Sequence, residues 1–208
     1  MVKRIRKRTK AELKALESEF ERRDRAVSRV MNASMRACKS VTKSKRKYIH
    51  QIVTGDWMDG LDPDIGEFEA LELWDRQLEA FLRECANPFE LHLFVNGWNW
   101  DDGGEKSLRK LVKNDSCDAG TALLLYWMTN PEYYLEYRII SDCPEHNREP
   151  LQLSRFIEGK FKRDGFSSRL IPFDPTPWIT NEYDDYAVRK IPAIMFDPIV
   201  TTRIRKKK

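Results

Sequence analysis

Residues 119–128 read AGTALLLYWM, ten positions without a charge and almost without a polar side chain. A helix of that composition is apolar around its whole circumference and belongs at the centre of a folded domain. At about 1.5 Å per residue it is roughly 15 Å long, half the thickness a bilayer demands, so it is a core rod and not a membrane span. Asp118 stands before it as an N-cap, able to take up backbone N–H groups of the first turn. Gly120 lets another helix approach closely, and Asn130-Pro131 ends the run.

The other periodicities predict helices to cover this rod. Ile65, Phe68, Leu71, Trp74, Leu78, Phe81, Leu82 and Cys85 recur at steps of three and four. That helix is expected to open at Asp62-Pro63, with Asp62 as cap. Asn87-Pro88 repeats the cap before FELHLFV, which Gly97 stops. Leu108, Leu111 and Val112 mark a short helix, and Leu153, Phe156, Ile157 and Phe161 form one face of another opened by Glu149-Pro150. Residues 9–53 contain no Gly and no Pro, and Thr9 with Glu12 matches a capping box. Leu13, Leu16, Phe20, Val27, Val30, Ala37 and Val41 follow near heptad spacing, which predicts one helix from 9 to about 50, its stripe interrupted by Arg23 and Ser34. Tyr133, Leu135, Tyr137 and Ile139 alternate like a strand, but Pro131-Glu132 looks like a helix start, and the stretch is read as helical. From Gly165 onward, prolines at 172, 175, 177, 192 and 198 cut the chain into short extended pieces such as RLIPF and AIMF. These are too aromatic for a linker and are expected to wrap over the helices. The fold class is therefore mainly α: an irregular multi-helix domain with a long basic N-terminal helix and a Pro-rich extended C-terminal segment.

Charge is segregated along the chain. Residues 1–50 hold 17 Lys and Arg against 5 Asp and Glu, a net +12; residues 51–200 hold 15 against 28, a net −13; residues 201–208 add +5. All six Trp lie in the acidic stretch. The division reads as a basic helical arm over 1–53, an acidic globular domain over 54–200 and a basic tail over 201–208. The basic first ten residues precede no apolar stretch, which argues against a secretory signal, and Glu12, Glu17, Glu19 and Glu21 argue against a transit peptide. Cys38, Cys85, Cys117 and Cys143 form no close pair, so they read as reduced thiols of a cytoplasmic protein.

No Gly-rich phosphate loop, nucleophile elbow or clustered His site occurs in the sequence. The acidic run 56–69 fails the register of a calcium loop. Asp101, Asp102 and Glu105 sit in a Gly-rich turn; capping of the next helix is favoured over magnesium binding or acid–base work. His92, among apolar neighbours, reads as a buried or half-buried histidine with one hydrogen bond. Cys143 and His146 lack the second pair a zinc site needs. The expectation is a non-enzymatic protein with no cofactor, no metal and no membrane partner.

Two motifs within 88–140 carry a resemblance. Leu91-His92 is followed by Asn99, Trp100, Asp101, Asp102 and Gly103; Cys117-Asp118 is followed by Gly120 to Leu123 and the aromatic pair Tyr126-Trp127. Together they resemble the bacterial family called domain of unknown function 4274. Gly104 departs from the pattern, which has an apolar residue there more often, and the basic N-terminal helix is no part of that domain. The resemblance implies an all-helical fold and, because members occur among toxin–immunity genes, an immunity-like role.

Two functions follow as expectations. The acidic, aromatic-rich body suits a basic protein partner, since complementary charge speeds encounter and sets specificity. The alternative is non-specific nucleic-acid binding through Lys3, Arg4, Arg6, Lys7 and Arg8, the cluster Lys43, Lys45, Arg46 and Lys47, and the tail with Arg203 and Arg205. Under that alternative, duplex DNA titrated between about 50 and 200 mM salt should lose affinity with a log–log slope of about −0.9 per neutralised phosphate, without sequence preference. Salt-insensitive binding would refute it.

Overall fold

The computed structural model describes residues 9–56, 58, 64–99 and 105–201. Seven α-helices occur among these: α1 (Lys10–Ala37), α2 (Lys43–Thr54), α3 (Glu67–Glu84), α4 (Pro88–Gly97), α5 (Glu105–Lys113), α6 (Ala119–Met128) and α7 (Arg148–Lys162). The apolar run is α6, and every side chain from Ala119 to Trp127 is buried. Its neighbours are α4 and α7; α4 packs on α2, α2 on α3, α3 on α5 and α5 on α7. Six helices thus close a cycle, and their inward faces share one apolar core running from Ile49, Ile52 and Val53 of α2 through Leu78 and Phe94 to Leu124 and Ile157. A small second cluster, Tyr134, Cys143 and Leu151, lies under the 131–147 turns.

The helix expected from 9 to about 50 is two helices. The Thr9–Glu12 capping box is present, but the chain turns at Cys38–Ser40, and the Thr42 hydroxyl starts α2 by accepting from the Lys45 N–H. Arg46 fastens the corner by donating to the carbonyls of Val41 (3.0 Å) and Cys38. The turn exists because Ile49, Ile52 and Val53 must enter the core, where a straight continuation of α1 would not take them. Gly55 then ends α2 with φ +73°, a left-handed value that suits glycine. The two seam interruptions are contacts. Ser34 is fully buried and its hydroxyl donates to Met31 O. Arg23 donates to the carbonyls of Pro177 (2.7 Å) and Trp178 (3.0 Å), tying α1 to the C-terminal segment.

Further departures from expectation are local. α3 begins at Glu67 with Gly66 as N-cap; Asp62 and Pro63 lie outside the described residues. The stretch read as helical is so over Pro131–Glu136, in 3-10 form and entered through a left-handed Asn130 (φ 52°), a path that turns Glu132, Tyr134 and Leu135 inward. The AIMF piece is a 3-10 turn, Ala193–Phe196, and not extended. Among the described residues the β-structure is one antiparallel bridge, Phe173 to Ile199. Around it, residues 166–200 run over the helices as a strap.

Leu124 is fully buried in the most central helix. Replacing it with Asp puts an unpaired charge in the core at a cost of about 3–5 kcal/mol or more, so the variant should show no cooperative thermal melt. A soluble, cooperatively melting Leu124→Asp chain would contradict this placement of α6.

Candidate functional site

The motif residues do structural work around the start of α6. Asp118 is fully buried, and its carboxylate accepts four hydrogen bonds. Oδ1 takes the N–H of Gly120 (2.8 Å) and of Ile171 (3.3 Å); Oδ2 takes the Ser168 hydroxyl (2.7 Å) and the Leu170 N–H (2.6 Å). The expected cap is present, and the same side chain also holds the strap. Gly120 explains how the strap comes so near: a Cβ there would stand 1.9 Å from the Ile171 carbonyl oxygen. The close neighbour expected at Gly120 is therefore the strap and not another helix. Cys117 is buried beside them, and burial pushes its thiol up to about 12, which makes it inert at neutral pH.

The two motifs meet through His92. Its Nδ1 lies 3.0 Å from the Thr121 hydroxyl of α6, and Asn96 Nδ2 donates to Nε2 at 2.9 Å. With Nε2 accepting, Nδ1 carries the proton and donates it to Thr121. Burial lowers the His92 pKa from 6.5 to about 4. The ring is thus a neutral clamp between α4 and α6. Of the turn between the motifs, Asn99 is exposed, while Trp100, Asp101, Asp102 and Gly103 lie outside the described residues.

Two more buried carboxylates bind the strap, and neither stands out in the sequence. Glu132 accepts from the N–H groups of Thr180 (3.0 Å) and Asn181 (3.2 Å) and from the Thr180 hydroxyl. Glu158 on α7 accepts from Tyr126 OH at 2.9 Å and pairs with Arg189 of the strap. The Trp127 indole N–H adds a bond to Met195 O at 3.0 Å. Asp118, Glu132 and Glu158 are therefore engaged by donors of this same chain. No group of three His, Cys, Asp or Glu side chains able to hold a metal occurs among the described residues.

Of the basic candidates, the structure describes the four on α2. Lys43 and Lys47 are exposed. Lys45 pairs with Glu90 at 3.4 Å, and Arg46 is committed to the α1–α2 corner. Lys3, Arg4, Arg6, Lys7, Arg8, Arg203 and Arg205 lie outside the described residues.

The outer side of α3 carries a row of carboxylates, and α5 sets Lys106, Arg109, Lys110 and Lys113 beside two of them, Asp75 and Glu79. Phe68 is 86% exposed, and Glu72, Asp75 and Glu79 follow it at i+4, i+7 and i+11, hence on one stripe. Leu71, 42% exposed, borders that stripe on its core side. Glu79 reaches Lys110 of α5, and Glu72 reaches Arg76 at 4.0 Å; both pairs are exposed and weak. Beyond this stripe, a cavity of about 540 Å³ opens between the ends of α3 and α5. Among the described residues no helix is long and apolar enough to cross a membrane.

Residues 86–162, which contain α4 to α7, match the model of a family described as Domain of unknown function (DUF4274). No curated protein and no solved structure matches the chain.

Two outcomes test the buried polar network. Asp118→Asn keeps one acceptor but turns an amide toward the Leu170 N–H, leaving a buried donor unmatched. It should lose about 2–4 kcal/mol of stability and admit protease to 166–200. Unchanged protection of the strap would contradict its latching by Asp118. For His92 the folded pKa lies below the unfolded one, so the folded state resists protonation. Its contribution is complete above about pH 6.5 and is lost as pH falls toward 4. Chemical denaturation between pH 7 and 5 should show a slope approaching about 1.4 kcal/mol per pH unit that His92→Gln lacks.

Proposed function

We propose that this chain, which carries a domain of unknown function 4274 over residues 86–162, is a non-enzymatic protein-interaction module that binds a basic protein partner, in the manner of an immunity protein. The observation that carries this reading is the exposed Phe68 at the head of the Glu72–Asp75–Glu79 stripe on α3. Large aromatic side chains are costly to leave in water and act as anchors when a partner covers them. Carboxylates around such an anchor raise the encounter rate with a basic surface and reject acidic ones. The surrounding acidic stretch, net −13 over residues 51–200, acts in the same sense at longer range. The buried acids are occupied within the chain, whereas the exposed pairs Glu72–Arg76 and Glu79–Lys110 are solvent-screened and can exchange partners. The four cysteines are unpaired and buried, which suits a cytoplasmic setting.

Non-specific nucleic-acid binding is the second reading. It draws on the exposed Lys43 and Lys47 together with the basic ends of the sequence, and the salt titration above separates it from the first.

A photo-crosslinking amino acid at position 68, compared with one at the exposed Lys162, tests the α3 reading in extracts of the native cell. Position 68 should yield a discrete adduct with a basic protein, and Glu72→Lys with Asp75→Lys should abolish it. Identical products from both positions, or an adduct indifferent to charge reversal, would refute it.

A further inference from the structure

Residues 10–22 of α1 are exposed throughout, and among the described residues Arg23 is the first on the helix to bond another segment. Leu13, Leu16, Phe20, Arg23, Val27, Val30, Ser34 and Ala37 alternate at steps of three and four, the heptad seam of a two-stranded coiled coil. The second half of that seam is covered. Ser34 is buried, Val30 packs on the core, and Arg23 is bonded to the strap. The first half is not: Leu13 is 54%, Leu16 40% and Phe20 73% exposed. The seam therefore runs off the body with its apolar side chains uncovered, on a helix already fixed by its capping box and by its docked half.

We propose that this projecting half of α1 docks one amphipathic helix of a partner protein, with basic residues flanking that helix's apolar stripe. The charges beside the α1 seam select this occupant. Glu12, Glu17, Glu19 and Asp24 occupy the flanking positions, Glu12 also accepting from the Thr9 N–H in the capping box and Glu19 lying 4.0 Å from Arg22, with Lys10 alone of opposite sign at the first turn. In a parallel pair of copies, Glu12 would face Glu17 and Glu19 would face Asp24; an antiparallel pair centred between Leu16 and Phe20 would set Glu17 and Glu19 against their own counterparts and Lys10 against Asp24 at each end. Like charges oppose the parallel pair and leave the antiparallel one without net gain, whereas a partner helix with Lys or Arg at both flanks would be attracted along most of the seam. Three exposed side chains are also a small fraction of the roughly 800 Å² per partner that a stable complex buries, which describes a transient contact. The seam does not stop at Phe20. Arg23, one step further along, lines a pocket of about 440 Å³ with Trp127, Trp178 and Tyr183, where the end of a docked helix can place a side chain. This surface is separate from the α3 face and does not depend on it.

The test uses the full chain and two labelled peptides of about 21 residues, three heptads each, with Leu along the seam and either Lys or Glu at the flanks. By fluorescence anisotropy the Lys-flanked peptide should bind at least about tenfold more tightly than the Glu-flanked one, and raising the salt should narrow the gap. Leu16→Glu with Phe20→Glu should abolish that binding while leaving the thermal melt unchanged, because both positions are exposed. Glu72→Lys with Asp75→Lys on α3 should leave it intact. Four results would overturn the proposal: equal binding of the two peptides, binding that survives the α1 substitutions, a lowered melt in the α1 variant, or concentration-dependent dimers that those substitutions dissolve. The last would make a second copy the occupant.

Discussion

A carboxylate buried at the start of the central helix sets the path of the rest of the chain. Asp118 has no solvent to share its charge, and an ionised group in that position costs several kcal/mol unless donors surround it. Only Gly120 supplies such a donor from within the same turn of α6. The others come from Ser168, Leu170 and Ile171, some fifty residues later. The strap must therefore cross the N-terminus of α6, and it fits there because position 120 lacks a Cβ. The positive end of the helix dipole adds to the same attraction.

The same principle recurs along the strap. Glu132 gathers the N–H groups of Thr180 and Asn181, Glu158 takes Arg189, and the Trp127 indole takes Met195 O. Each latch lies on the helical core, and each partner lies in a segment too broken by proline to form regular structure of its own. An irregular segment cannot satisfy its backbone groups internally, and a core with buried acids cannot be left bare, so each supplies what the other lacks. Arg23 extends the network to α1 by donating to the strap carbonyls at 177 and 178. The strap thereby connects the helical cycle to the N-terminal helix.

With the three buried carboxylates engaged, two helices, α1 and α3, still present exposed apolar side chains in a helical row. Both helices begin with apolar side chains exposed and both carry carboxylates beside them. The α1 stripe continues into the core through Val30 and Ser34, and α3 is anchored there by its opposite side, Leu78 and Phe81. Their outer turns are held in helical form by the packing of their inner turns. Such pre-organised surfaces bind with little further ordering cost, which supports a recognition role.

Local physics made much of this fold legible in the sequence. An all-apolar run can only be a core helix; Asn87, Asp118 and Thr9 announce caps because their side chains accept from N–H groups two or three residues on. The burial of His92 and of Leu108, Leu111 and Val112 followed from their neighbours in the chain. These are short-range statements, and the atoms that decide them are close in sequence. Tertiary structure alone decided the rest. Glu132 and Glu158 look like ordinary helix acids until residues 180 and 189 arrive to bind them. Arg23 looks like a defect in a stripe until it meets the carbonyls at 177 and 178. The break at Cys38–Ser40 reflects where Ile49 and Ile52 must go. Periodicity shows that a side chain has an apolar face to cover; which distant segment covers it, or whether any does, depends on contacts that no local pattern encodes, and that is why Phe20 and Phe68 stand in solvent while Phe81 and Phe94 stack in the core.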